Sequence, residues 1–223
     1  MRSLGELLRL PDAVAHAEIT AHLDAGGDLR ARDYTLLHWA CVRGRLDLLE
    51  RLIGLGLTAN DARAVRNYAL RGACQFGHLA VVNRLIELGL NAVDARAQNN
   101  FALRYACFYG HLAVIERLIE LGLDAADARV DDNYTLRVAC FYGHHAVVAR
   151  LLELGVEPTP AALRSLTAYA CAEDDERADR LRRAVERWRD TSELAAAEAA
   201  LTPPEQDEWE KVKPQWSSLR YAD

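Results

Sequence analysis

Three cysteine–histidine pairs are the residues of this chain whose types and spacing could do chemistry. Cys74 and His78 are four residues apart, and the same spacing returns at Cys107 and at Cys140. On a helix this spacing places a thiol and an imidazole on one face, where they could form a thiolate–imidazolium pair or supply two metal ligands. A zinc site needs further ligands, and none occurs at the spacings typical of such a site.

The repetition of these pairs favours a structural explanation. The phrase Ala-Cys-x-x-Gly-(His/Arg) returns every 33 residues, at Cys41, Cys74, Cys107 and Cys140. A catalytic imidazole is usually single, whereas this one occurs three times. We therefore predict that the cysteine is a small buried residue and the histidine the start of a helix, with no metal and no cofactor. Neighbouring copies are expected about 8–10 Å apart, which exceeds the reach of a disulfide.

Each copy contains two short helical patterns that must position these residues. Leu70, Ala73 and Cys74 follow the i, i+3, i+4 spacing of one helix face, and a second apolar stripe begins at Leu79. Gly77 lies between the two stripes, where the first helix ends and the chain reverses. One such unit cannot bury its apolar faces alone, so the copies are predicted to stack on one another.

The repeat resembles the ankyrin repeat. Residues 35–40 read Thr-Leu-Leu-His-Trp-Ala, which departs from the family's Thr-Pro-Leu-His-x-Ala turn only at Leu36, and the second half of each copy resembles the second ankyrin helix. The resemblance implies an all-α solenoid of stacked helix pairs joined by short hairpin or extended loops. We expect one ankyrin-repeat domain at 1–188, with an N-terminal cap at 1–27, four repeats at 28–157 and a C-terminal cap at 158–188.

The last segment, 189–223, does not follow the repeat and is expected to be an acidic helical tail. It contains eight acidic and four basic residues, together with Trp209 and Trp216. One interpretation is that the tryptophans pack the tail onto the last helices. The other is that they form an exposed segment that binds a partner, or that regulates the groove of the stack.

Three copies replace the threonine and histidine of the family turn with an aromatic residue and an arginine. Arg71, Arg104 and Arg137 share the 33-residue period of the aspartates in the Asp-Ala-Arg segments, which begin at Asp61. We predict a ladder of ion pairs between these arginines and aspartates. The alternative is that each arginine is a solvated residue at the start of a helix. The Asp-Ala-Arg segments themselves are predicted to be extended or hairpin-like.

Composition and charge predict a soluble cytoplasmic protein. The 223 residues carry a net charge of −6, which argues against binding to the phosphate backbone of a nucleic acid. No apolar run approaches the length of a membrane span, and the first residues lack the apolar region of a signal peptide. Delivery of a bacterial protein into a host cell stays an open alternative. We expect a monomer.

The resemblance implies that the chain recognises a protein partner, whose identity the sequence does not reveal. No phosphate-binding loop, nucleophile elbow or pair of catalytic carboxylates occurs, so we expect no enzyme activity. The first hypothesis is an adaptor or inhibitor. The second is a structural protein that assembles with itself through its tail or ends, and a catalytic effector is a distant third.

In ankyrin repeats the loop tips and the end of the first helix face the binding groove. Carried over to this chain, these positions give the candidate partner-binding residues Arg32, Tyr34, Arg43, Val65, Asn67, Gln75, Phe76, Gln98, Asn100, Phe108, Tyr109, Asp131, Asn133, Phe141 and Tyr142. The aromatic members form a row of typical binding anchors. Their alternative role is to pack copy against copy.

Overall fold

The computed structural model of the protein describes residues 6–7 and 9–157, with the backbone alone at 31–33 and 132. Its helices fall into two units, divided in the sequence between Asp127 and Ala128. The first unit contains α1 (Asp12–Asp24), α2 (Ala31–Val42), α3 (Leu46–Gly54), α4 (Ala59–Gln75), α5 (Leu79–Glu87), α6 (Ala92–Ala95), α7 (Ala97–Phe108) and α8 (Leu112–Glu120). The predicted C-terminal cap and acidic tail lie outside the described residues.

The first unit is a stack of helix pairs. The first helices pack in series, α2 against α4 and α4 against α7, and the second helices do the same, α3 against α5 and α5 against α8. Leu70, Ala73 and Cys74 are fully buried, as their spacing predicts. Full burial of a leucine side chain is worth about 1.5–3 kcal/mol, so the repeated leucines supply much of the stability of the stack. The described residues form helices and no strands, which confirms the all-α solenoid.

The second unit is described on its own. The short helix α9 (Ala125–Ala128) spans the boundary, and α10 (Val130–Phe141) packs against α11 (His145–Glu153). Arg129 donates from Nη2 to the carbonyl of Gly155 at 2.6 Å, and Thr135 donates from its hydroxyl to the carbonyl of Ala128 at 2.6 Å. None of the helices in the part of the chain described is long and apolar enough to cross a bilayer.

The segments between repeats are short helices instead of the predicted hairpins. Thr58 caps the start of α4: its backbone N–H and its hydroxyl both donate to Oδ2 of Asp61 at 2.8 Å, and the N–H of Asp61 donates back to the hydroxyl. Asn91 and Asp94 form the same capping box at α6. The hairpin prediction was wrong because the aspartate in Asp-Ala-Arg is the third residue of a capped helix, so it is not in an extended segment.

After each short helix the chain reverses through left-handed backbone. In α4 the residues from Val65 to Asn67 have φ between 50° and 59°, and in α7 the residues from Gln98 to Asn100 have φ between 56° and 59°. Left-handed backbone is rare for residues with a side chain, and Asn tolerates it best. A compact turn therefore stands where a hairpin was predicted.

The ladder of ion pairs exists, but it uses a different row of arginines. Three arginines of the Asp-Leu-Arg and Asp-Ala-Arg segments, Arg30, Arg63 and Arg96, each pair with the aspartate 31 residues later, in the next repeat. Arg30 donates to Asp61 at 2.6 and 2.7 Å, and Arg63 donates to Asp94 at 2.9 Å. Arg96 donates to Asp127 at 2.8 and 2.9 Å. Of the three arginines predicted to pair with the aspartates, Arg71 lies over aromatic rings instead, so the pairing predicted for this arginine was wrong.

Two of these arginines also cap the second helix of the following repeat. Arg63 donates from Nη2 to the carbonyl of Gly89, and Arg96 donates in the same way to the carbonyl of Gly122, each at 2.7 Å. One guanidinium therefore satisfies a carbonyl at a helix end and a buried carboxylate in the adjacent copy. The ladder holds consecutive repeats of the first unit in register.

The Gly-His part of the recurring phrase is a second link between copies. Nε2 of His78 donates to the carbonyl of Val42 at 2.9 Å, and Nε2 of His111 donates to the carbonyl of Gln75 at 3.0 Å. A Cβ added to Gly77 would lie 2.5 Å from Nδ1 of His111. The imidazole thus occupies the space that the glycine of the preceding repeat leaves free. These histidines precede a helix, as predicted, and they also join it to the previous copy.

Candidate functional site

Exposed aromatic side chains stand at the end of the first helix in successive repeats. In the first unit, Phe76 follows α4 with 47% of its surface exposed, and Tyr109 follows α7 with 45% exposed. Each ring precedes a glycine with positive φ, 75° at Gly77 and 76° at Gly110, which ends the helix. The helix end therefore presents a large ring that the packing of the repeats covers only in part.

In the third repeat the exposed ring belongs to a larger cluster. Tyr105 stacks on Phe101 with the ring centroids 3.9 Å apart, and its centroid lies 6.1 Å from that of Phe108 and 6.4 Å from that of Tyr109. Phe108 and Tyr109 meet edge to face at 4.8 Å. The row of candidates omits Phe101 and Tyr105. Their spacing of four residues, continued by Tyr109, was the signal that could have found them.

Arg71 lies over this cluster, and no aspartate among the described residues pairs with it. Its guanidinium carbon is 4.3 Å from the ring centroid of Phe101 in the next repeat and 5.7 Å from that of Tyr68. Nη1 donates to the carbonyl of Arg66 at 3.1 Å. Burial lowers the pKa of the Arg71 guanidinium from its usual value. In the preceding repeat His38 takes the same place, with its ring centroid 4.5 Å from that of Tyr68.

This contact explains the departure from the family turn. The residue at the histidine position packs on the aromatic ring that replaces threonine in the following copy, His38 on Tyr68 and Arg71 on Phe101. A cation over an aromatic face is attracted by about 0.5–2 kcal/mol. The exchange therefore keeps a contact between repeats that a solvated arginine would not make.

The second unit repeats the aromatic ending. Phe141 is 50% exposed and Tyr142 is 41% exposed, and their rings meet edge to face with the centroids 5.0 Å apart. The ring of Tyr142 also stacks near that of His144, at 6.2 Å. Both aromatic residues thus present large apolar surface at the end of α10.

The turn candidates divide into exposed and inward-facing residues. Val65, Gln98 and Asp131 are exposed on left-handed backbone. Asn100 is 5% exposed and donates from Nδ2 to the carbonyl of Asp127 at 3.0 Å. Asn133 is half-buried and donates to the carbonyl of Glu157 at 3.4 Å. The asparagines therefore close the turns, and the residues before them supply the exposed side chains.

The remaining candidates are less available. Arg43 is half-buried with its Nε 3.3 Å from Asp12, and the backbone carbonyl of Gln75 accepts the hydrogen bond from His111. Tyr34 is half-buried on left-handed backbone, and Asn67 is half-buried. The side chain of Arg32 lies outside the described part.

The four cysteines in the described part of the chain are buried free thiols. Cys41, Cys74 and Cys107 are buried free thiols, and burial raises the pKa of each thiol. Burial raises the pKa of Cys140 to about 12. Among the residues described, no group of three His, Cys, Asp or Glu side chains could hold a metal ion. A neutral, buried thiol is a small apolar residue, as the repetition predicts.

Comparison with known proteins identifies the family. A family model for ankyrin repeats in three copies matches residues 70–162, and a model for a single ankyrin repeat matches residues 32–61. The chain belongs to the ankyrin-repeat family. Ankyrin repeats generally mediate protein–protein interactions, and their fold is typically a non-catalytic scaffold. No curated protein matched the chain.

A solved structure supports the same fold. The X-ray structure of an ankyrin repeat family protein from Legionella pneumophila is similar to this chain with a TM-score of 0.57 and 25% sequence identity. The similarity covers 78% of this chain and 50% of the Legionella chain. The chain therefore spans about half the length of this relative.

Proposed function

We propose that this protein is a non-enzymatic adaptor or inhibitor that binds a protein partner through the exposed rings at the ends of its first helices. The observation that carries the proposal is the exposure of Phe76, Tyr109 and Tyr142, which stand at equivalent positions of the repeat and are 41–47% accessible, and of Phe141, the neighbour of Tyr142, which is 50% accessible. The proposal also includes the exposed turn residues Val65 and Gln98 in the first unit and, separately, Asp131 in the second.

Partial exposure of these rings supports a binding role more than a role in packing copy against copy. Rings that served only to join repeats would be buried, as Leu70 and Leu103 are. Tyr and Phe side chains offer a large apolar area with few rotatable bonds, so little conformational entropy is lost when a partner covers them. Covering the exposed half of one such ring is worth about 1 kcal/mol, half the value of full burial.

The proposal is tested by affinity capture with two variants of the full chain. In Tyr109→Ala/Tyr142→Ala each unit loses one ring that is already partly exposed, so the fold should survive. The matched control is Leu55→Ala/Val93→Ala, which removes two exposed apolar residues outside the first helices. Captured proteins are quantified by mass spectrometry against the wild type.

We expect the tyrosine variant to capture at least about tenfold less of the partner than the wild type does, because it loses two contacts of about 1 kcal/mol each. The control should retain the partner at the wild-type level. Circular dichroism checks that both variants keep their helix content. A partner captured equally by the wild type and the tyrosine variant would contradict the proposed surface.

A further inference from the structure

Arg71 is a cation of the first unit that the ion-pair ladder leaves without an acid. Arg30, Arg63 and Arg96 each donate to an aspartate of the next repeat. Arg71 donates only to the carbonyl of Arg66 and lies over two rings, and no carboxylate among the described residues pairs with it. A half-buried guanidinium that pairs with no carboxylate retains N–H donors that can bind a carboxylate strongly.

The geometry around Arg71 leaves part of its hydrogen-bonding capacity unused. Nε is shielded from solvent and has no hydrogen-bond partner, while Nη1 makes the contact with the carbonyl of Arg66. The ring centroid of Phe101 lies 4.3 Å from the guanidinium carbon, a contact that restricts the movement of the guanidinium. A held guanidinium loses less entropy on binding than a free one, so it is suited to recognition of a carboxylate.

Charge is segregated on the segments that carry the exposed rings. The two stretches 64–77 and 97–110 contain three arginines, Arg66, Arg71 and Arg104, and no aspartate or glutamate. Asp61 and Asp94, which precede these stretches, are already bound by the ladder. The aromatic surface of this unit is therefore flanked by positive charge with no acid of its own segment to neutralise it.

We propose that the first unit recognises an acidic protein segment in which a carboxylate neighbours an aromatic or branched apolar side chain. The carboxylate binds Arg71, and the apolar side chain packs on Tyr105 and Tyr109. This inference rests on the proposed function and names the chemistry of the partner. The guanidinium carbon of Arg71 lies 4.3 Å from the ring centroid of Phe101. The centroid of Tyr105 lies 3.9 Å from that of Phe101 and 6.4 Å from that of Tyr109. The total is at most about 15 Å, the reach of four or five extended residues.

An acidic peptide fits these observations better than a nucleic acid. A nucleic-acid site needs a run of cations along the backbone, whereas one half-buried guanidinium matches one carboxylate. The net charge of the chain is −6, which opposes a polyphosphate more strongly than a short peptide.

The test measures fluorescence anisotropy of a labelled peptide with the full chain. The probe is ten residues of glutamate and aspartate around one central tryptophan. A second peptide has glutamine and asparagine in place of every acid, and a third probe is a single-stranded oligonucleotide of equal charge. The protein variants are Arg71→Gln and Tyr109→Ala. The control is Arg84→Gln, which removes a cation on a second helix that pairs with Glu50.

We expect the acidic peptide to bind the wild type and the control equally. The affinity should fall at least about tenfold for Arg71→Gln, for Tyr109→Ala and for the neutral peptide. Each change removes one contact whose loss weakens binding by about that factor. If Arg71→Gln fails to fold, the Tyr109→Ala variant and the neutral peptide still decide the outcome. Equal binding of the acidic and neutral peptides, no binding of either, or tighter binding of the oligonucleotide overturns the inference.

The two proposals fail in distinguishable ways. A cellular partner that depends on Tyr109 and Tyr142 but is indifferent to Arg71→Gln keeps the proposed function and rejects the acidic partner. A partner that the wild type and Tyr109→Ala/Tyr142→Ala capture equally rejects the proposed surface itself.

Discussion

Replacing Gly77 with alanine should weaken the joint between the second and third repeats more than any other glycine-to-alanine change nearby. Gly77 has φ of 75°, where an L-residue with a side chain costs about 1–2 kcal/mol. Its new Cβ would also lie 2.5 Å from Nδ1 of His111, closer than atoms in contact can approach. The imidazole must swing away, which breaks its hydrogen bond to Gln75.

The magnitude follows from these two terms. Loss of the histidine hydrogen bond costs about 1 kcal/mol, so the free energy of unfolding should fall by about 2–3 kcal/mol in total. For a chain of this size the melting temperature should fall by about 5–10 °C. The assay is thermal and urea unfolding of the full chain followed by circular dichroism.

Two other glycines separate the contributions. Gly56 has φ of 99° with nothing within 4 Å of an added Cβ, so Gly56→Ala reports the backbone cost alone. Gly54 lies within α3 without positive φ and also has open space, so Gly54→Ala should be neutral or slightly stabilising. The double variant Gly77→Ala/His111→Ala should cost less than the sum of its single changes, because it removes the clash.

The result that refutes the reasoning is specific. The reasoning is refuted if the melting temperature of Gly77→Ala equals that of the wild type within error, or if it falls no further than the melting temperature of Gly56→Ala does. Either result shows that the imidazole does not occupy the space beside Gly77. Additive costs in the double variant would show the same.

Three further predictions concern charge, thiols and assembly. The Arg30 guanidinium holds the pKa of Asp61 at about 2, below its unfolded value of about 3.9, so its stabilisation of about 2 kcal/mol is present above pH 4 and is lost as the pH falls toward 2. Asp61→Asn should therefore reduce the fall in the free energy of unfolding between pH 4 and pH 2, as measured by acid unfolding. An unchanged dependence on pH contradicts the ion pair. Cys74 and Cys107 should react with a thiol reagent only on unfolding, as measured by peptide mass spectrometry, because burial raises the pKa of both thiols; fast native labelling would count against this. Light scattering coupled to size exclusion should give the mass of a monomer, and a stable oligomer without a partner would favour the self-assembly alternative.

Much of the fold could be predicted from local patterns. The 33-residue period, the i, i+3, i+4 spacing of Leu70, Ala73 and Cys74, and the glycine after each first helix are short-range signals, and the structure confirms the buried face and the helix end that they predict. The burial of the thiols could also be predicted from the sequence, because a cysteine that recurs in every copy on the apolar face of a helix is expected to pack in the core.

The candidate site was predicted less completely. Phe76 and Tyr109 are exposed where the resemblance places them, while Phe101 and Tyr105 enter the surface only through their stacking. Asn100 is buried, because the turn that carries it is left-handed and directs its amide toward Asp127. The exposure of a turn residue depends on backbone geometry that residue type alone does not specify.

By itself the sequence determined the repeat, its helices and its buried faces, because periodicity and helix termination are local. Only the tertiary structure decided which side chains join the copies. Two rows of arginines share one period, so sequence spacing fits either row to the aspartates. Packing brings Arg63 to Asp94 and puts Arg71 over Phe101, because the contacts between stacked copies, not the distance along the chain, set which groups meet.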